Sequence, residues 1–385
     1  MAERLVLHIG TQKSGTTYLQ RVLQALSPSI RRQGVLYPLR LAGKKEIYNH
    51  EAAAYGLLGT AAFPWVPPVR AQAQQESWAG LVRKVQRWDG TVIVSGEALS
   101  VIDAHNAAQL VESLGVDHTD ILITARDLGR VLPSSWQQHI RNGRSTRFDT
   151  FLRQMEQRRG SGDSAERRRA WEADADHTFW RAYAIGGLVN RWAPLATSIT
   201  VVGVPHRPAD AHALWHRFVD AVGLAEVLPD TPPEVDTVKA NVGLTEPETL
   251  VLAGLNRAFE HGDLPEPQRR AIRGQIIREG FAQRDQRGQR VRLPDEWVDR
   301  VSTWAREDVE ELRNSHARLV GEPADLLVAE SARLAGPIDP LERETEIIDA
   351  AGAALGALST LVEQIPADPD QSRRGGIRRS RQSRA

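Results

Sequence analysis

The amino-acid sequence predicts an α/β fold, a parallel β-sheet of about five strands flanked by helices, with a helical C-terminal extension. Three observations lead there. Short apolar runs of strand length recur between residues 5 and 204, stretches with apolar residues at helical spacing separate them, and several runs end in polar or glycine-bearing turns. Strands that alternate with helices in this way form parallel sheets joined by right-handed crossovers. Leu5, Val6, Leu7 and Ile9 make the first run, suited to a buried parallel strand, and Thr16 to Leu26 the first helix. Val35 to Tyr37 is a second short strand. Arg40 to Trp88 is of mixed character, with Tyr48-Asn49-His50, the cluster Phe63-Pro64-Trp65-Val66-Pro67-Pro68, and Trp78 and Trp88 in helical surroundings. Aromatics and prolines in so long a connection suit a wall over a cleft or a small satellite core. Thr91 to Ser95 is the third strand and delivers Gly96 and Glu97 at the edge where open α/β sheets bind ligands. A helical pattern covers Asn106 to Leu114. Asp120 to Ala125 is the fourth strand, ending in Arg126-Asp127 before the helical stretch Val131 to Ile140. Ser198 to Val204 is the fifth, followed by Pro205-His206-Arg207-Pro208.

The turn after the first strand, Gly10-Thr-Gln-Lys13-Ser14-Gly15-Thr16-Thr17, has the makings of an anion site. Glycines let the backbone turn tightly and approach a ligand, and the amides that open the next helix attract negative charge. Lys13 adds a positive charge, and the hydroxyls of Ser14, Thr16 and Thr17 add donors. The chain has only five lysines among its 49 basic residues, so background usage does not account for one here. A Walker A loop places its lysine directly after the last glycine, whereas here lysine comes first. That order, with Tyr18 following, resembles the phosphosulfate-binding loop of the sulfotransferases that use 3′-phosphoadenosine 5′-phosphosulfate (PAPS). The family's proline before the lysine is Gln12 in this chain.

A second segment supports the same resemblance. In Arg126-Asp-Leu-Gly-Arg-Val-Leu-Pro-Ser134-Ser135-Trp136, an arginine at a strand end and a serine two helical turns on can surround one phosphate. It looks like the family segment that binds the 3′-phosphate, with Arg126 and Ser134 at the matching positions and Ser135 as the alternate. Texture similar to actinobacterial members continues to about residue 225.

The resemblance implies a P-loop-NTPase-like fold, a PAPS cofactor, and sulfuryl transfer to a hydroxyl or amine of a small-molecule or carbohydrate acceptor. Lys13 would stabilise the leaving oxygen, with Ser14, Gly15, Thr16 and Thr17 holding the phosphosulfate and Tyr18 stacking on adenine or filling the core. The acceptor needs a base, and Glu97 falls where many members carry a catalytic histidine; a helix cap or structural ion pair is its alternative. His50 is the second candidate, with Glu46 and His139 behind. No metal is implied. Two other classes stay open: a P-loop-like nucleotide kinase, and a non-catalytic nucleotide-binding protein on the same scaffold.

Composition narrows the field further. Charged residues are 25% of the chain and balance to zero, so no global field favours nucleic acid or an anionic membrane as partner. Without cysteine there is no disulfide framework, thiolate catalysis or cysteine-ligated zinc. His212 and His216 stand four apart but lack an HExxH context and a third ligand, so a solvated helix face is expected. No signal peptide or membrane-length run is evident, which predicts a cytoplasmic protein. We expect a PAPS-binding core over residues 1–228 and a helical extension over 229–365, with helices at Glu246 to Glu260, Glu296 to Ser315 and Glu342 to Ile365. The arginine-rich residues 366–385 read as a disordered tail.

Overall fold

The computed structural model describes residues 1–42, 45–173, 178–206, 210–235, 243–329 and 340–363. Its strands are β1 (Arg4–His8), β2 (Val35–Leu36), β3 (Arg40–Ala42), β4 (Lys45–Ile47), β5 (Thr91–Ser95), β6 (Thr119–Ala125), β7 (Ser198–Gly203) and β8 (Arg318–Val320). Six of them form one sheet in the order β2-β5-β1-β6-β7-β8, and every neighbouring pair is parallel. The architecture is therefore α/β, a parallel sheet flanked by helices, with a helical C-terminal region. The sheet has one strand more than expected, because β8 comes from the part of the chain that reads as an extension. Strands β3 and β4 pair antiparallel within the stretch of mixed character.

Residue type explains the strands. The run Thr119–Ala125 is buried at all seven positions and β1 at four of five, as expected for parallel strands covered on both faces. The helices Thr16–Arg31 and Ala213–Val222 place Leu19, Val22, Leu23, Trp215, Phe218 and Val222 in a core cluster with Val6, Ile93, Leu122 and Val202 from the sheet. Gly223, at φ 64, ends the second of these helices in the left-handed conformation that glycine adopts without strain.

The chain divides into two compact units. The first comprises residues 1–133, 152–241 and 292–335, and the second 134–151, 242–291 and 336–385. This differs from a single boundary after residue 228. Residues 292–335 return to the first unit because the helix Asp295–Arg313 leads directly into β8, which pairs with β7. Within the first unit, Arg159 pairs with Glu307 and Asp308 at 2.9 and 3.3 Å, and its guanidinium lies 4.7 Å from the ring centre of Trp180 and 5.7 Å from that of Trp304.

In the second unit, Thr245 and Glu248 form a capping box at the start of the helix Glu246–Glu260. Arg287 meets the buried Glu248 carboxylate at 2.6 Å, and Asn256 donates to the carbonyls of Ile140 and Arg144. The helix Pro340–Glu363 packs against residues 276–280 of the same unit. Among the described residues, no helix is long and apolar enough to cross a membrane. Arg207, Pro208 and the arginine-rich tail lie outside the described residues.

Candidate functional site

The sheet order itself selects a location. From β1 the chain runs toward the β2 edge, and from β6 toward the β7 edge, so the carboxyl ends of β1 and β6 flank a topological switch point. The loop 10–15 follows β1, and Arg126 follows β6. On the other side of β1, β5 ends level with it, His8 standing opposite Ser95, and delivers Glu97 two residues later. Three neighbouring strands thus converge on Lys13, Arg126 and Glu97.

The loop has the geometry of an anion cradle. Lys13 sits at φ 65 and is the only non-glycine among the described residues with a positive φ; Gly15 follows at φ 86. A non-glycine residue in that region carries roughly 1–2 kcal/mol of backbone strain. Gly15 caps the helix Thr16–Arg31 without any side-chain hydrogen bond, and its first turn carries no acidic residue. The positive end of the helix dipole is therefore left to a ligand.

Beneath the loop lies a polar foundation that sequence reasoning misses. His8 is completely buried, 2.9 Å through Nδ1 from the Ser95 hydroxyl and 3.1 Å through Nε2 from the Thr124 hydroxyl. Burial holds its pKa down at about 3, so the ring is neutral. Thr124 also meets the Ser14 hydroxyl at 2.7 Å, and the Thr11 amide donates to the Thr124 carbonyl at 2.9 Å. Gly10 is required here, since a Cβ would stand 2.1 Å from Thr124 Oγ1. The only sequence signal is polar side chains at His8 and Thr124, toward the carboxyl ends of largely apolar strands.

This foundation corrects one expectation. Ser14 and Thr16 are buried and both hydroxyls donate to the Thr11 carbonyl, so they brace the loop from within. What residues 14–16 present to an anion is their backbone.

The two base candidates fare differently. Glu97 opens a short helical turn, Glu97–Val101, directly after β5. Its carboxyl is pushed up to about 7, first by burial and then by the nearby Glu51 carboxylate, while Lys13 pulls it down. Lys13 and Glu97 thus share one electrostatic environment, in which the Glu97 carboxyl is held near neutrality. His50 is buried, with the Ser95 amide donating to its Nδ1 at 3.0 Å, so the proton is on Nε2, which donates to the Pro38 carbonyl at 2.6 Å. Both nitrogens are occupied by backbone, and burial lowers its pKa to about 4. The structure makes His50 a strut between β5 and the chain after β2, not a base.

Arg126 reaches back to the loop, donating from Nη1 to the Lys13 carbonyl at 3.3 Å, and Tyr183 donates to the neighbouring Gln12 carbonyl at 3.3 Å. Arg126 and Tyr183 also line one small cavity with Leu128, Ile185 and Asp308. Arg130 is committed elsewhere, to Asp127 and the carbonyls of Val204 and Pro205. Ser134 and Ser135 are partly buried on the helix Leu128–Arg141, at the point where the chain enters the second unit. Tyr18 is partly buried against the core cluster, and its hydroxyl is raised by burial and by Asp210.

Glu46 is exposed on β4, and His139 stands 5.8 Å from the Phe151 ring within the second unit. His216 is 2.8 Å from Asp210 and 2.9 Å from the Asp230 carbonyl on a half-exposed helix face.

Comparison of the chain with models of known protein families, with curated proteins and with solved structures gave no match in any of the three.

Proposed function

We propose that the chain is a PAPS-dependent sulfotransferase acting in the cytoplasm on a hydroxyl or amine of a small-molecule or carbohydrate acceptor. The observation that carries this reading is the convergence of Glu97, Lys13 and Arg126 at the carboxyl ends of three adjacent parallel strands. Lys13 precedes the loop's last glycine, unlike a Walker A lysine, which favours a phosphosulfate over a nucleoside triphosphate with magnesium.

The donor supplies an SO3 group that passes in line to the acceptor, leaving negative charge on the bridging oxygen. The helix-start amides of residues 16 and 17 hold the 5′-phosphosulfate, and the Lys13 ammonium stabilises the departing oxygen. Arg126, at the carboxyl end of β6, takes the 3′-phosphate. Glu97, carboxylate above its raised pKa, accepts the proton that the acceptor loses.

The test is a thermal-shift screen with 3′,5′-adenosine bisphosphate (PAP), ATP with magnesium, and ADP. Stabilisation chiefly by PAP is expected, about 2.7 kcal/mol at a hundred times Kd. Stabilisation by ATP with magnesium and none by PAP would replace this reading with a kinase.

Arg126→Ala should weaken PAP about 10- to 100-fold, the loss of one charge-assisted phosphate contact worth roughly 1.5–3 kcal/mol. Adenosine 5′-phosphosulfate, which lacks the 3′-phosphate, should bind almost unchanged. Equal losses for both ligands would mean that Arg126 matters only through its bond to the Lys13 carbonyl.

A further inference from the structure

Glu51 is a second carboxylate at the same sheet edge, and sequence reasoning gave it no role. It lies in the first turn of the helix His50–Ala62, and both of its oxygens are engaged. Oε2 accepts the Ala98 amide at 3.0 Å, and Oε1 accepts the Tyr55 hydroxyl at 2.5 Å. Ala98 is the residue after Glu97, so this bond anchors the turn that carries Glu97. The backbones are close as well: a Cβ on Gly96 would stand 3.5 Å from Glu51 Cα.

We propose that Glu51 is a positioning residue for Glu97, fixing the turn Glu97–Val101 and setting the basicity of its first side chain by carboxylate–carboxylate repulsion. The proposal rests on the sulfotransferase reading for what Glu97 does, but not for the pairing itself. A neighbouring carboxylate adds to burial in holding the Glu97 carboxyl above the ordinary carboxylate range.

The surroundings limit other sources of such behaviour. Lys13 acts on Glu97 from the loop in the opposite sense. Tyr48, hydrogen-bonded by Arg21, faces both carboxylates and is a neutral phenol at working pH. Arg181 and Arg191, on the helices packed beyond the turn, donate to the carbonyls of Val101 and Ser100 at its far end. Glu51 is the one anion acting on Glu97 among these groups.

The experiment follows the carbon resonance of the Glu97 carboxyl, in protein labelled at glutamate side chains, from pH 4 to 9. In the wild-type chain the Glu97 midpoint should lie at about 7. In Glu51→Gln the midpoint should fall toward the ordinary carboxylate range, and in Glu51→Asp, which keeps the charge, most of the wild-type value should return. An unchanged Glu97 midpoint in folded Glu51→Gln overturns the proposal. So does a wild-type Glu97 midpoint in the ordinary carboxylate range, which needs no variant to fold. Turnover read alongside separates the two ideas: a Glu97 midpoint that moves in a protein with no sulfuryl transfer keeps the pairing and removes the sulfotransferase reading. If both hold, the acid limb of the kcat profile shifts to lower pH in Glu51→Gln while PAP affinity stays constant.

Discussion

Replacing Lys13 with alanine is expected to leave the fold intact and to lower sulfuryl transfer by at least about a hundredfold, the scale seen when one donor to a developing oxyanion is lost. The side chain supplies the charge nearest the departing oxygen, and the other loop groups are backbone amides that a substitution leaves in place. A companion variant sharpens the result. Lys13 holds φ 65, where glycine rests without strain, so Lys13→Gly should lose transfer as completely as Lys13→Ala but melt at a higher temperature. Near-normal turnover in either protein would remove Lys13 from the chemistry, and with it the case for a leaving-group cation.

The second large effect concerns Glu97. Glu97→Gln keeps the shape and removes the basicity, and turnover should fall about 10²- to 10⁴-fold while PAP affinity holds. Stability should move the other way. The Glu97 carboxyl rises from 4.5 to about 7 on folding, so its contribution is complete below the unfolded value and is lost as pH climbs through 7. Glu97→Gln should therefore melt above the wild type at pH 8, with the gap closing near pH 4. A variant less stable at pH 8 would show that the carboxylate is structural. His50→Ala is expected to differ in kind, lowering the melting temperature because it leaves the Ser95 amide and the Pro38 carbonyl without their partner.

Much of this was legible in the residues, for reasons that differ from element to element. The strands β1, β5, β6 and β7 are compact apolar runs, and the loop between β1 and its helix has glycines and a rare lysine in an order that little else explains. β8 was invisible because it is three residues long, begins with arginine and is defined by its partner, not by its own pattern. The return of residues 292–335 to the first unit is hidden from local pattern for the same reason. At the site, Glu97 could be placed because it follows a clear strand by two residues. The fate of His50 depended on a carbonyl 12 residues away and an amide 45 residues away, contacts that no local pattern encodes. The inward turn of Ser14 likewise depends on Thr124, more than a hundred residues distant.

The late arrival of β8 bears on how the chain is made. β7 ends at Gly203, and the strand that covers its open edge begins at Arg318. At typical synthesis rates those roughly 115 intervening residues take about 6–23 s to emerge from a ribosome. For that interval the nascent sheet presents β7 as an unpaired edge, buried-type on both faces and able to template pairing with a neighbouring nascent chain. A fragment ending near residue 228 would hold that condition permanently. The chain is best expressed whole, and slow or paused translation between 204 and 317 is where aggregation should begin.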